Sequence, residues 1–208
     1  EVISFILNGS THANSQTALT NYISAFNAVQ DETIIVFAIG NVQAETQPGL
    51  LSALPIFYTQ LEEAFLGVGW AQIQGSSISS STVVRYGNQC GELMKNCIFA
   101  NGSDMSGAKH FDGTTSHYAT DGYGSSYSAP MVAGSIALLQ QAFPNHTPAD
   151  IQERILASAN NSYFTPSAQQ TFTNGIQHGY NAEWGHGLLD LDRALKPILT
   201  SYNGLGAS

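Results

Sequence analysis

Apolar residues in the first forty positions alternate between continuous runs and helical spacing. A first run covers residues 2–7 and a second covers residues 33–39. Between them, over residues 16–30, apolar side chains recur every three or four positions, at Ala18, Tyr22, Ala25, Phe26 and Val29. Two buried strands joined by a helix are typical of parallel βαβ units. The pattern therefore predicts an α/β fold, with a mostly parallel sheet and helices on both faces.

The same signals predict the later elements. Residues 64–71 are apolar enough for a further strand, and Thr147-Pro148 with Asp150 is a helix start, followed by an apolar face at Ile151, Ile155, Leu156 and Ala159. Polar, glycine-containing stretches are predicted as loops, and the end of the chain as a short helix. The loops are residues 75–82, 103–120 and 160–180, and the terminal helix covers residues 188–195.

One serine stands directly before a helical pattern of small and apolar residues. Ala129, Val132, Ala133, Ile136 and either Leu138 or Leu139 recur at helical spacing. Gly134 would allow close packing, and Pro130 is expected in the first turn, where a missing N–H costs little. Ser126 would then lie at the helix N-terminus, where free N–H groups favour a developing anion. It is a candidate nucleophile; the alternative is a serine that only caps a buried helix.

This stretch resembles the serine motif of the subtilisin-like proteases (subtilases), usually Gly-Thr-Ser-x-x-x-Pro-x-Val-x-Gly. Here it stands as Gly124-Ser125-Ser126 followed by Pro130, Val132 and Gly134, with Ser125 in place of the common Thr. The resemblance implies that Ser126 is the nucleophile. It also implies a subtilisin-like fold, of which residues 1–208 are the C-terminal part of one catalytic domain.

An asparagine follows the second predicted strand, at the strand end where active-site groups of such sheets collect. Ala38-Ile-Gly40-Asn41 resembles the subtilase element Ala-Ala-Gly-Asn, whose Asn side chain donates to the oxyanion. The resemblance assigns that role to Asn41. It also implies two walls of the primary specificity pocket, made by Leu7, Asn8 and Gly9 and by Ala38, Ile39 and Gly40, although Ile6-Leu7-Asn8 replaces the usual Ser-Leu-Gly.

The net charge and the two cysteines indicate which classes of partner and which cellular compartment to expect. The formal net charge is −9, with 6 Lys and Arg against 15 Asp and Glu, which argues against nucleic acid or an anionic membrane surface as partner. No apolar run is long enough to span a membrane. Cys90 and Cys97 have neither zinc-site nor Cys-x-x-Cys spacing, so a local disulfide is predicted, with two buried thiols as the alternative. A disulfide implies an oxidising compartment, and hence a secreted or cell-surface protein.

A subgroup within the family is also indicated. The paired cysteines resemble those of subtilase passenger domains in bacterial autotransporters. So do the spacer Leu54–Trp70 and the segment Trp184–Asp190 near the end of the chain.

The chain has no motif for the general base that a serine nucleophile needs. Subtilases order their triad Asp, His, Ser, and neither the Asp-Ser/Thr-Gly turn nor His-Gly-Thr occurs here. His110 and His117 are close enough in sequence to suggest a base or a metal site, with surface histidines as the alternative. None of the six histidines has the required context: His12, His110, His117, His146, His178 and His186. No cofactor is expected, and no loop has a ligand spacing that specifies calcium.

Two hypotheses follow. In the first, the chain is a processed or truncated product, as its start on Glu1 within an apolar run suggests, and an N-terminal fragment of the same protease supplies Asp and His. Together they would hydrolyse peptide or protein substrates as a serine endopeptidase. In the second, the protein is a non-catalytic binding or structural module with a protease-like fold. The upstream sequence discriminates between them.

Overall fold

The computed structural model describes residues 13–198, apart from the side chains of residues 13–16, 109–111 and 120. The strand predicted over residues 2–7 therefore lies outside the described residues. The helices are α1 (Ala13–Val29), α2 (Leu54–Phe57), α3 (Ser125–Ala142), α4 (Pro148–Ser158) and α5 (Leu191–Leu195). The strands are β1 (Ile35–Ala38), β2 (Phe65–Ile73), β3 (Val83–Arg85), β4 (Cys97–Asn101), β5 (Met105–Phe111), β6 (Ser116–Gly122), β7 (Ala168–Thr171) and β8 (Gln177–Tyr180). Short 3₁₀ helices cover Thr59–Ala64 and Gly91–Asn96.

The main sheet is mostly parallel, as predicted. Strand β2 lies at its centre, with β1 parallel on one side and β4 parallel on the other, in the registers Ile35–Phe65 and Gly67–Cys97. Strand β3 pairs antiparallel with the end of β2. Because successive side chains of a strand point to opposite faces, Ile98 and Ala100 enter one core cluster while Cys97 and Phe99 enter the other.

Helices cover both faces of this sheet, which confirms the α/β architecture. On one face, Val132 and Leu139 of α3 and Ile151 and Ile155 of α4 are completely buried against β2 and β4. On the other face, Phe26 of α1 makes edge-to-face contacts with Phe37 and Phe65. The predicted start of α4 is confirmed as a capping box, since Thr147 and Asp150 exchange side-chain-to-backbone hydrogen bonds.

Cys90 and Cys97 form the predicted disulfide. Both cysteines are fully buried, and the bridge closes the 3₁₀ helix Gly91–Asn96 that leads into β4. Among the described residues, no helix is long and apolar enough to cross a membrane.

Two predicted loops are wrong, because each contains a β-hairpin. Residues 103–120 form most of the β5–β6 hairpin, and residues 160–180 contain the β7–β8 hairpin. Polar composition suggested loops, but backbone pairing does not require apolar side chains. The usable signal was the turn: Asp112-Gly113 and Asn174-Gly175 are dipeptides that favour tight hairpin turns, and both glycines have positive φ.

Two details predicted for α3 differ, those of Pro130 and Gly134, and the choice left open between Leu138 and Leu139 is decided. Pro130 is the sixth helical residue rather than a first-turn residue, so the Ser126 carbonyl lacks the N–H that position 130 would normally supply. Leu139, not Leu138, faces the core, and Leu138 is half exposed. Gly134 packs against nothing, since no atom lies within 4 Å of the place its Cβ would occupy.

Two buried histidines, His178 of β8 and His186, lie in contact at 3.1 Å between their Nδ1 atoms. His178 Nε2 donates to the Ala159 carbonyl, so its Nδ1 accepts and His186 Nδ1 donates in the neutral pair. Burial is the main cause that lowers the pKa of His178 to about 4, and Arg193 adds to it. Burial and the neighbouring His178 also lower the pKa of His186 far below its usual range.

Because of these two buried histidines, we expect the folded protein to lose stability in mild acid. Both pKa values are depressed in the folded state, so the unfolded chain takes up protons first as the pH falls below 6.5, the ordinary histidine value. The contribution of these histidines to the free energy of unfolding is therefore fully present above pH 6.5. It is lost as the pH falls towards 4, by up to about 3 kcal/mol for His178 alone. Urea unfolding at several pH values in this window should give a shallower pH dependence for His178→Gln than for the wild type. Equal slopes would contradict the assignment.

Candidate active site

The candidate nucleophile Ser126 lies near the carboxyl ends of β1 and β4. Helix α3 begins at Ser125, and the preceding Gly124 donates its N–H to the Gly102 carbonyl, 2.8 Å away, just beyond β4. Ser128 is fully buried and donates its hydroxyl to the Ala100 carbonyl at 3.0 Å. The start of α3 is thereby fixed to the carboxyl end of β4, the edge at which such sheets gather their active-site groups.

This junction is packed so closely that only glycine fits. A Cβ on Gly102 would lie 2.5 Å from the Gly124 carbonyl oxygen and would also overlap the Ser128 hydroxyl. Gly124 itself has φ +128°, a value that L side chains rarely adopt. The turn before Ser126 therefore depends on two glycines, one for contact and one for conformation.

Ser126 is the second residue of α3, and its side chain is exposed to solvent. The N–H groups in the first turn of a helix have no partner within the helix, and they carry the positive end of its dipole. In α3 the Ser125 N–H donates to Asn41, and the Tyr127 and Ser128 N–H groups donate to the Gly124 carbonyl, so among the described residues only the Ser126 N–H of this turn has no partner. A negatively charged oxygen formed beside Ser126 would meet this N–H. Gly124, not Ser126, is the N-cap residue of α3, so the alternative of a capping serine does not describe Ser126.

Asn41 is in direct contact with the turn that carries Ser126, although 84 residues separate it from Ser125. Its Oδ1 accepts hydrogen bonds from both the backbone N–H and the hydroxyl of Ser125, each at 2.7 Å. The backbone donor identifies this atom as the oxygen, so Nδ2 is the other side-chain atom. Nδ2 has no hydrogen-bond partner within the described part of the chain, and Asn41 is exposed. The serine that replaces the family's usual threonine keeps the hydroxyl used here.

Asn88, which the sequence analysis does not single out, holds the turn that carries Asn41. It is buried, and its Oδ1 accepts from the Val42 N–H at 2.9 Å while its Nδ2 donates to the Gln47 carbonyl at 2.8 Å. A single asparagine after Gly87 gives no sequence signal for such a contact, because its partners are more than forty residues away.

The two predicted walls of the specificity pocket differ in how far they can be described. Leu7, Asn8 and Gly9 lie outside the described residues. Ile39 is fully buried in the core, where it contacts the Gly67 position, so it could line a pocket only through its backbone. Ala38 and Gly40 are partly exposed. The pocket role of these six residues stays a prediction.

No described histidine side chain is placed to act as base for Ser126. His117 pairs with Asp112 at 2.8 Å near the tip of the β5–β6 hairpin. The pKa of Asp112 is lowered by its hydrogen bond with His117 and by those from the Thr115 and Thr114 N–H groups. His117 precedes Gly122 by five positions in β6, about 16 Å at the usual rise per residue. His146 lies beyond the far end of α3, which ends at Ala142, about 24 Å along the helix from Ser126.

The buried pair His178 and His186 is equally unsuitable, since the two enclosed rings stack on each other and His186 also contacts Phe172. His12 and the His110 side chain are outside what the structure describes. The described residues also contain no group of three or more His, Cys, Asp or Glu side chains able to hold a metal ion.

One face of α3 lies open to solvent beside the candidate site. We call Tyr127, Met131, Gly134 and Leu138 the open face; these residues follow helical spacing and are all exposed. The side chains of Tyr127, Met131 and Leu138 are 38%, 38% and 50% exposed, respectively. The outer edge of β1 is likewise unpaired within residues 13–198. A large apolar strip on a helix commonly marks an interaction surface.

Two described cavities lie away from this site. One, of about 490 Å³, is lined by α4, β7 and the Glu62–Glu63 segment. The other, of similar volume, lies between β3 and Tyr163, Phe164 and Trp184. Neither is lined by Ser126 or Asn41.

Comparisons with known proteins agree on the family. The model of the Subtilase family matches residues 3–187. Serotype-specific antigen 1 of Mannheimia haemolytica is 25% identical over 170 residues, covering 81% of this chain and 16% of the antigen.

Two solved structures share the fold. The self-cleaved protease domain of PatA has a TM-score of 0.56 and 21% identity, covering 83% of this chain and 53% of that one. Fervidolysin from Fervidobacterium pennivorans, described as a keratinolytic enzyme related to subtilisin, has a TM-score of 0.56 and 20% identity, covering 86% and 25%. The chain thus spans about half or less of the length of these relatives.

The glycine packing gives a direct test. Gly102→Ala should destabilise the chain by about 1–3 kcal/mol, because the added methyl group overlaps backbone that cannot move freely. Gly134→Ala is the matched control: its Cβ meets nothing, and alanine in an exposed helix should stabilise by about 0.5–1 kcal/mol. Urea unfolding of both variants measures the difference. Equal effects would show that the junction before Ser126 is not closely packed.

Proposed function

This chain belongs to the subtilase family, and from that premise we propose that it is the part of a serine endopeptidase that carries the nucleophile and the oxyanion donor. Residues 1–208 would form the C-terminal part of one catalytic domain. The observation that carries the proposal is the contact of Asn41 with Ser125, which brings an exposed amide next to an exposed serine at a helix N-terminus.

In the proposed reaction, the Ser126 hydroxyl oxygen attacks the carbonyl carbon of a peptide bond. Its proton passes to a histidine, which then protonates the leaving amine. The carbonyl oxygen becomes an oxyanion, and Asn41 Nδ2 and the Ser126 N–H donate to it. Water then hydrolyses the acyl-enzyme. Ala38, Ile39 and Gly40 would form one wall of the pocket for the side chain before the scissile bond, with Leu7, Asn8 and Gly9 as the other. The reaction uses no metal or cofactor.

The histidine and its aspartate would come from an N-terminal fragment of the same protease. Two features support this origin: no described histidine is suitable, and the open face of α3 is an unfilled apolar surface. Met131 lies five residues after Ser126, about 7.5 Å along the helix. An element packed on the open face would therefore pass close enough to bring a base to Ser126. Gly134, with open space above it, would allow that element to approach α3 closely.

The disulfide Cys90–Cys97 supports an extracytoplasmic location, because such bonds persist in oxidising compartments. Secretion, autoprocessing and membership of the autotransporter subgroup remain predictions within this proposal. The alternative function, a non-catalytic binding or structural module, would use the same open face to hold a partner that brings no base.

The nucleophile and the oxyanion donor are tested by activity of the assembled protein. Ser126→Ala should abolish cleavage of a peptide substrate, whereas Asn41→Ala should lower turnover by about 10²–10³-fold, because only the transition state carries the oxyanion. Ser125→Ala should have a smaller effect, since the Ser125 backbone N–H still orients Asn41. Full activity of Ser126→Ala would overturn the assignment, and no activity in the wild-type assembly would favour the module.

The open face is tested by affinity for the N-terminal fragment. Leu138→Ser removes an apolar side chain from that face and should weaken binding by about 10–100-fold. Leu195→Ser is the matched control, because Leu195 is similarly exposed but lies on α5, and it should change the affinity by about twofold or less. Titration calorimetry of both variants measures the difference. Equal losses would mean that the fragment docks elsewhere.

A further inference from the structure

We propose that Asn88 is the positioning residue for the oxyanion donor, and that its side chain sets the geometry of Asn41 from the far side of the turn. This inference rests on the proposed function. It adds a residue that touches neither substrate nor nucleophile, and that acts only through Asn41.

Asn88 holds the backbone on both sides of Asn41. The peptide group before its Cα contains the Gly40 carbonyl, and the peptide group after it contains the Val42 N–H. The Asn88 N–H donates to the Gly40 carbonyl at 3.3 Å, and Asn88 Oδ1 accepts from the Val42 N–H at 2.9 Å. One residue therefore holds both peptide planes that flank Asn41. Those two planes determine its φ and ψ, and so the direction of its side chain.

The orientation of the Asn88 side-chain amide is itself fixed. Its Nδ2 donates to the Gln47 carbonyl at 2.8 Å, which fixes Oδ1 towards Val42. Asn88 is 7% exposed, so water competes little for these bonds. Gly40 has φ +125°, and a Cβ there would lie 2.6 Å from the Asn88 side-chain carbon. The asparagine thus packs directly against the glycine that precedes Asn41.

The segment that carries Asn88 is also anchored. Arg85 donates to the carbonyls of Gln43, at 2.9 Å, and Gly87, and its Nε pairs with Glu183. Gln43 donates back to the Arg85 carbonyl at 2.7 Å. Gln89 N–H donates to the Glu45 carbonyl at 3.0 Å. Segment 85–89 therefore lies as a fixed support along residues 40–47.

Asn41 is thus held from two sides. Ser125 donates two hydrogen bonds to its Oδ1 and Asn88 holds its backbone, so the direction in which Nδ2 points is fixed. Loss of the Asn88 side chain would keep the bond from the Asn88 N–H to the Gly40 carbonyl but free the Val42 N–H, so the peptide group after Asn41 could rotate. Because the oxyanion forms only in the transition state, this loss should lower kcat and leave KM nearly unchanged.

The kinetic test uses the assembled protease. Asn88→Ala should lower kcat by about 10–100-fold with little change in KM. In the Asn41→Ala background, Asn88→Ala should cause almost no further loss, because the group through which it acts is gone. Asn88→Asp keeps an acceptor for the Val42 N–H and should recover part of kcat. An equal loss from Asn88→Ala in both backgrounds would overturn the inference.

Asn96→Ala is the matched control. Asn96 also donates its side-chain amide to backbone carbonyls, those of Glu62 and Phe65, but it makes no contact with the Asn41 turn. It should reduce stability and leave kcat unchanged. If both asparagine variants lower kcat alike, Asn88 is only a structural residue.

A second measurement does not depend on activity. In the 208-residue chain, Asn88→Ala should shift or broaden the NMR signals of the Asn41 side-chain amide and speed hydrogen exchange at the Val42 N–H, whereas Asn96→Ala should do neither. Unchanged Asn41 and Val42 signals would overturn the inference. An inactive wild-type assembly with the expected NMR changes would instead count against the proposed function.

Discussion

Two hydrogen bonds into one amide oxygen join the two halves of the candidate site. Asn41 Oδ1 receives the N–H and the hydroxyl of Ser125, and no other described contact links the end of β1 to the start of α3 so directly. Each bond is worth only about 1 kcal/mol of stability. Their larger consequence is directional, because an amide whose oxygen is occupied must present its nitrogen elsewhere. That nitrogen is the group that the proposed chemistry needs.

The surrounding structure keeps this contact in place. Gly102 and Gly124 let the turn before Ser126 lie against the end of β4, and Ser128 ties α3 to the Ala100 carbonyl. Segment 85–89 supports the Asn41 turn from the other side, and the Cys90–Cys97 disulfide follows it directly. The result is a preorganised pair of groups beside an open helix face. In the proposed function, another polypeptide brings the base to this place.

Much of this fold could be predicted from sequence, because the relevant signals are local. Continuous apolar runs gave the strands β1 and β2, and Thr147-Pro148 with Asp150 gave the start of α4. The hairpins over residues 105–122 and 168–180 were missed because polar composition outweighed their Asp-Gly and Asn-Gly turns. The role of Gly134 and the choice between Leu138 and Leu139 depended on what packs against α3, which periodicity cannot supply. Ser126 and Asn41 were found by resemblance to a family, whereas Asn88 depends on contacts across more than forty residues and left no local signal.

The proposed function requires Asn41 and Ser126 to act on the same carbonyl group, the Ser126 oxygen at its carbon and Asn41 Nδ2 at its oxygen. A crystal structure of the protein assembled with its N-terminal fragment and treated with a fluorophosphonate tests it most directly. We expect a phosphonyl group bonded to the Ser126 oxygen, with a phosphonyl oxygen about 2.7–3.1 Å from Asn41 Nδ2 and within reach of the Ser126 N–H. An unmodified Ser126, or an adduct whose oxygen points away from Asn41, would contradict it.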